Sequence, residues 1–316
     1  MTSTSLLTIA QTLTSFGERQ GDAACRAGAY LEKELRRAGL SLQIDMLDTS
    51  IPRGTSTLRV DGQLVESLPT SMISGSITDA SALTSSLIPS RYLIDVANIN
   101  FNPKCSAPSV TNMYFAPALA VRPGDVDRIL KAKEIRGTVE VRKESARIPQ
   151  ILVGNLKDPK VIVFTHYDSI GGPGAIDNAS GTAVCLALCL RYPALLGETL
   201  FVFDPNEEVS YDYPTYWGHG YRAFATTYAD VFKQAARILI VDSVGNGPVQ
   251  EIRDPTILRL AFPVDTDGVR GDVVSLGGDI ERMMEVYQSE LDTCDLLDER
   301  YLEDALQKAR ELIECI

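Results

Sequence analysis

The sequence predicts an α/β protein: a mixed, mostly parallel central sheet flanked by helices and interrupted by a small, mostly β insertion. Three observations carry this. Beyond about residue 136 the apolar runs TVEVRK, PQILVGNL, VIVFTH, TLFVFD, RILIVD and DVVSLG recur, separated by helices or turns, and runs so continuously apolar suit strands buried on both faces. Near each end of the chain a segment carries apolar residues at helical spacing. Between about Asp48 and Arg136 the composition shifts to Ser, Thr, Pro and Gly, with short alternating stretches such as TLRVDG, as in a small β unit.

In chain order, Ala24, Ala27, Tyr30, Leu31, Leu35 and Ala38 form one stripe from Asp22 to Leu40, and Gly39 stands where a C-terminal cap belongs. SLQIDML reads as a strand. The predicted organisation is therefore one domain built from residues 1–47 and 136–316, with residues 48–135 inserted. Ser180 is expected to cap the helix GTAVCLALCLRY. Asp298 is expected to cap ERYLEDALQKARELI, whose Tyr301, Leu302, Ala305, Leu306, Ala309 and Ile313 share a face.

The 316 residues are 45% hydrophobic, enough for a large core, and no run of roughly 18 apolar residues suggests a membrane span. MTSTSLLTIAQTLTSFGERQ lacks the basic start and cleavage pattern of an export signal, so a cytoplasmic location is expected. A net charge of −12 with scattered Lys and Arg offers no field for a phosphate backbone, which argues against nucleic-acid binding. The six cysteines include no CxxC pair; Cys185 and Cys189 share a helix face and read as core.

Several strands deliver a polar residue at or beyond their carboxyl ends, where open α/β sheets place ligand sites. VIVFTH ends in His166, with Asp168 two residues on; TLFVFD leads into Glu207 and Glu208; RILIVD ends in Asp242; the loop GGPGAIDNASG holds Asp177. One imidazole among many carboxylates suits Zn²⁺ or a similar divalent ion. Without a cation, buried carboxylates at such density repel and protonate.

THYDS around His166, GAIDNASGTA around Asp177, NEE at 206–208 and the strand ending at Asp242 resemble, in order and spacing, the co-catalytic zinc aminopeptidases of the aminopeptidase Y and bacterial leucyl aminopeptidase type. The resemblance extends to FGERQGDAACRAGAYLEKELRRAGL and to YQSELDTCDLLDERYLEDAL, leaving out the insertion. Within the insertion, APALAVRPGDVDRIL resembles the close of a protease-associated domain, here reduced.

The resemblance implies a zinc-peptidase fold and up to two zinc ions bridged by Asp177. His166 and Asp242 complete one site, and Glu208 belongs to the other. It implies Glu207 as general base, Asp168 holding the second ring nitrogen of His166, and a cis peptide between Asp177 and Asn178. Relatives place a last histidine ligand where this chain has Gln288, between Tyr287 and Ser289. An amide oxygen binds zinc less strongly than imidazole, so the second site is expected to be weak or to take another divalent metal.

The activity expected is hydrolysis of N-terminal residues from peptide substrates. The alternatives are a non-catalytic metallopeptidase-like binding protein and a glutaminyl-cyclase-like single-zinc enzyme, the latter expected to keep the final histidine. Tyr287, His219 and Trp217, the last two in VSYDYPTYWGHGYRAF with Tyr213, Tyr216 and Tyr221, are candidates for the substrate pocket. The insertion is open to capping that pocket, to building a homo-oligomer, or to both.

Overall fold

The computed structural model describes residues 5–80, 83–88, 95–212 and 214–316. Two helices, α1 (Leu6–Thr14) and α2 (Asp22–Arg37), lead into the long strand β1 (Leu42–Val60). The strands β2 (Gln63–Val65), β3 (Leu68–Pro69), β4 (Gly75–Ile77), β5 (Leu83–Ser85), β6 (Asn98–Phe101) and β7 (Ala118–Ala120) follow, then α3 (Val126–Leu130) and a second long strand, β8 (Ile135–Gly154). Next come β9 (Val161–His166), α4 (Gly181–Arg191), β10 (Thr199–Asp204), α5 (His219–Thr227), α6 (Ala229–Gln234) and β11 (Arg237–Val241). The chain closes with β12 (Gln250–Ile252), α7 (Pro255–Ala261), β13 (Asp272–Gly277), α8 (Ile280–Met284) and α9 (Glu299–Glu314).

The main sheet runs β12-β13-β11-β9-β10-β8-β1-β2, with β4 also on β8. Its centre, β13-β11-β9-β10, is parallel and its flanks are antiparallel. The central strands alternate as a sheet covered on both faces requires. On β9, Val161 and Val163 join the core beneath α1, α2, α4 and α9, while Ile162 and Phe164 join the core under α5 and α6. Phe164 anchors the second core, with the rings of Tyr221, Phe224 and Phe262 centred 5.4, 5.2 and 4.9 Å away.

The boundary expected near residue 48 falls inside a strand. β1 and β8 pair without interruption from Leu42↔Val153 to Val60↔Ile135, so TVEVRK and PQILVGNL, expected as separate strands, are one. Pro52 pairs with Lys143 where the ribbon is only two strands wide, and an edge position tolerates its missing N–H. The far end of the ribbon, with a second sheet ordered β3-β7-β6-β5, holds its own core of Leu58, Val60, Ile77, Ile99, Leu119, Ile129 and Val139.

Two caps behave as expected: Gly39 adopts φ +78°, its N–H reaching Arg36 O, and the Asp298 carboxylate accepts from Arg300 N. Ser180 does not cap α4. The turn Ala175–Ser180 winds directly into the helix, and the Ser180 hydroxyl instead donates to Ile176 O and accepts from Val244 N.

Candidate metal centre

The parallel centre of the sheet brings the sequence-predicted carboxylates to one rim. β9 and β10 are in register at Asp204↔His166, so the loop after each leaves the sheet at the same level, and Asp242 follows directly after β11 on the other side of β9. At this rim the His166 Nε2 lies 3.2 Å from Asp177 Oδ1 and 3.6 Å from Asp242 Oδ1. On the far side of the ring, Nδ1 is 3.2 Å from Asp168 Oδ1. A proton held there by Asp168 leaves the Nε2 lone pair aimed at the carboxylates, the tautomer a metal ligand needs.

Asp168 does more than hold the ring. Its two oxygens accept the backbone N–H groups of Glu207 and Glu208, each at 3.0 Å, and Gln20 Nε2 at 3.1 Å. It thereby ties the loop after β10 to the loop after β9. Asp177 is fixed just as firmly: the Asp292 carboxylate accepts from Ile176 N at 2.8 Å and Asp177 N at 3.1 Å, and the Asp177–Asn178 peptide is cis, as the resemblance implies. Asn178 spans to both neighbouring strands, donating to Val241 O and Thr165 Oγ1 while its oxygen accepts from Gly181 N and Ser243 N.

His166, Asp177 and Glu208 each offer a ligand atom, all within 4.8 Å of one another and all buried. Glu208 Oε2 accepts from Gln288 Nε2, and Glu208 Oε1 is buried without a partner. Burial pushes Glu207 and Glu208 well above the usual carboxylate range, and nearby Asp177 and Asp168 push both further. Burial likewise lifts Asp292 to about 7 and Asp204, behind the site, to about 8. Clustered carboxylates, a neutralisable imidazole and an orphaned buried oxygen are the donor set a divalent cation fits. His166, Asp177, Glu208 and Asp242 are the side chains that would hold it.

Gln288 reaches the site from a constrained backbone, with φ +47°. Its carbonyl accepts from Val110 N at 2.9 Å and lies where a Cβ on Gly171 would come within 2.3 Å of it, so that glycine permits the approach. The Tyr287 carbonyl accepts from Ser109 Oγ at 2.7 Å. The Tyr287 phenol is pushed well above its ordinary range by burial and by the charges of Asp177, Glu208 and Glu207 that it faces.

His219 and Trp217 are placed otherwise. His219 Nε2 is 3.3 Å from Asp48 O and 3.6 Å from Asp212 Oδ2, and Trp217 Nε1 donates to Leu260 O on α7. Neither has a hydrogen bond or ion pair to the cluster among the described residues, because the aromatic loop folds back onto β1 and α7. Tyr221, two residues into the following helix, is wholly buried against Phe164 with its hydroxyl unpartnered. Tyr213 lies outside the described residues.

Arg19, Gln20, Asp204 and Asp292 were not among the residues that the sequence marked for the site. Each acts through the main chain or through another side chain, and no local spacing marks such a role. Only the placement of Arg19, Gln20 and Asp292 inside the segments resembling the aminopeptidases pointed toward them.

The sequence model of Peptidase family M28 matches residues 149–248, a stretch that contains His166, Asp177, Glu207, Glu208 and Asp242. No curated protein sequence matches the chain. Among solved structures, BSAP, a zinc aminopeptidase from Bacillus subtilis, aligns with a TM-score of 0.68 at 15% identity over 95% of this chain and 91% of that one. A glutaminyl cyclase from Tannerella forsythia aligns at 0.55 and 14% identity over 99% and 98%. A Zn-dependent exopeptidase from Parabacteroides distasonis aligns at 0.56 and 15% identity over 99% and 97%. These likenesses show the fold, the mixed α/β sheet of the zinc peptidases. No helix among the described residues is long and apolar enough to cross a membrane.

Proposed function

We propose that the chain is a zinc-dependent peptidase, an aminopeptidase that removes N-terminal residues from peptides. The observation that carries this is the meeting of His166, Asp177 and Glu208 ligand atoms within 4.8 Å at the carboxyl rim of the sheet, beside Glu207. His166, Asp177 and Asp242 form the stronger site in this reading, and Asp177 with Glu208 the weaker, because Gln288 stands where an imidazole is expected. Bound zinc supplies Lewis acidity, polarising a carbonyl and acidifying water. Glu207 is the base in this reading: beside a bound cation its carboxylate would take a proton from water and return it to the departing amine.

Two features of this chain shape the substrate side. The pocket floor is anionic, which favours a free α-amino group over an internal peptide bond. The Tyr287 phenol feels the charges of the same carboxylates, and in this reading it is the donor available to a substrate carbonyl.

The test is direct. Chelator-treated protein is titrated with zinc calorimetrically and assayed on aminoacyl chromogenic substrates, on N-acetylated versions of the same, and on glutaminyl peptides. Zinc-dependent release from free but not blocked substrates supports the reading. Cyclisation without release identifies a single-zinc cyclase, and zinc binding without turnover, or none at all, identifies a binding protein.

A further inference from the structure

A side chain outside the ligand set holds the pocket together. Arg19, in the turn ahead of α2, is wholly buried, a state arginine occupies only when its donors are satisfied. Its guanidinium donates from Nε to Tyr167 O at 2.6 Å, from Nη1 to Pro173 O, and from Nη2 to Gly174 O at 3.0 Å and Asp168 O at 3.5 Å. Its own N–H reaches Ser169 Oγ at 3.0 Å, and that hydroxyl donates to Gly172 O at 3.1 Å. One planar fork thus gathers the first two and last two carbonyls of the loop 167–174.

That loop joins two members of the metal cluster. His166 immediately precedes it and Asp177 follows three residues after it. All four acceptors on Arg19 are neutral carbonyls, and no ion pair ties it to a carboxylate among the described residues, so its charge acts at longer range on Asp168, Asp292, Glu208 and Asp177. A lysine could supply the charge but not the fork, since an ammonium is a point donor.

We propose that Arg19 is a positioning residue that closes the 167–174 loop and presets the spacing of His166 and Asp177 before any metal arrives. Its consequence for zinc affinity rests on the metal-centre reading; the closure itself does not. The loop of the metal-free protein is ordered, and zinc enters a pocket already formed.

Hydrogen exchange followed by mass spectrometry, with chelator and then with zinc, reads this in the wild type. Peptides spanning 167–177 are expected to be protected without metal, with a change of less than about threefold on adding zinc. The Arg19 Nε–H, observed by NMR in arginine-labelled protein, is expected to exchange slowly in both states. Arg19→Lys is expected to quicken exchange in these peptides, to leave the β1–β8 ribbon as it was, and to weaken zinc by about 10–100-fold in chelator competition. A loop that exchanges freely until zinc is added, or a folded Arg19→Lys with wild-type loop exchange, overturns the proposal. Should Arg19→Lys fail to fold, the wild-type loop and Nε–H measurements decide. A wild type that takes up no zinc removes the metal reading, and the same exchange data still judge the closure.

Discussion

The Gln288 amide donates through Nε2 to Oε2 of Glu208, across 80 residues of sequence, at the position where the sequence resemblance implies a histidine. The amide therefore occupies the carboxylate that a second metal would need. Gln288→His is expected to tighten the second zinc equivalent by at least about tenfold, since imidazole outranks an amide oxygen for zinc. Metal analysis after dialysis against graded chelator measures it. Unchanged stoichiometry and affinity would place residue 288 outside the metal sites.

Glu207→Gln keeps the shape and burial of the side chain but cannot accept a proton. Turnover is expected to fall by about 10²–10⁴-fold while zinc content and zinc affinity stay at wild-type values. Retained turnover would move the base elsewhere.

Asp242 Oδ1, 3.6 Å from His166 Nε2, is assigned to the stronger site. Asp242→Ala is expected to shrink the stabilisation that zinc confers, by about 1.4 kcal/mol for each tenfold loss of affinity. Calorimetric scans with and without zinc give that difference. If zinc raises the melting temperature as much in the variant as in the wild type, Asp242 is not a ligand.

Asp204 gives a pH signature. Asp204 is the register partner of His166 on the neighbouring strand; its carboxyl accepts from Gln150 Nε2 through Oδ1 and has Oδ2 buried without a partner. Burial raises it from 3.8 to about 8, so the folded chain keeps a proton that the unfolded chain releases. Stability of the metal-free protein therefore falls as pH rises from about 4 toward 8, by up to ~1.4 kcal/mol per pH unit for this group. Asp204→Asn is expected to remove one proton's worth of that slope in denaturant melts on chelator-treated protein. An unaltered slope would mean that Asp204 is ionised in the fold.

Much of this was legible in the chain itself. The strands β9, β10 and β11 announce themselves because burial on both faces demands unbroken apolar runs, and the polar residues His166, Glu207, Glu208 and Asp242 at or beyond their ends then stand out. The β1–β8 ribbon was not legible, since Pro52 and the Ser- and Thr-rich stretch around it imitate a loop when the pairing partner is some 90 residues away. Ser180 was misread because N-capping presumes that the helix starts there, whereas the turn around the cis peptide already runs into α4. The roles of Arg19 and Asp292 were hidden for another reason, although both lie in segments resembling the aminopeptidases: they act on carbonyls and amides, and main-chain partners leave no trace in residue type.

The ribbon that carries β1 and β8 outward also brings residues of the stretch between them back against the segment 284–288. Asn102 holds Met284 O, Ser109 holds Tyr287 O, and Val110 holds Gln288 O. Excising that stretch would remove the buttress behind Tyr287 and Gln288 and leave two long strand ends without their continuation. Truncation or grafting at this position would thus act on the proposed substrate side of the pocket, and a selection for altered substrate preference would then draw on residues far from the proposed metal ligands.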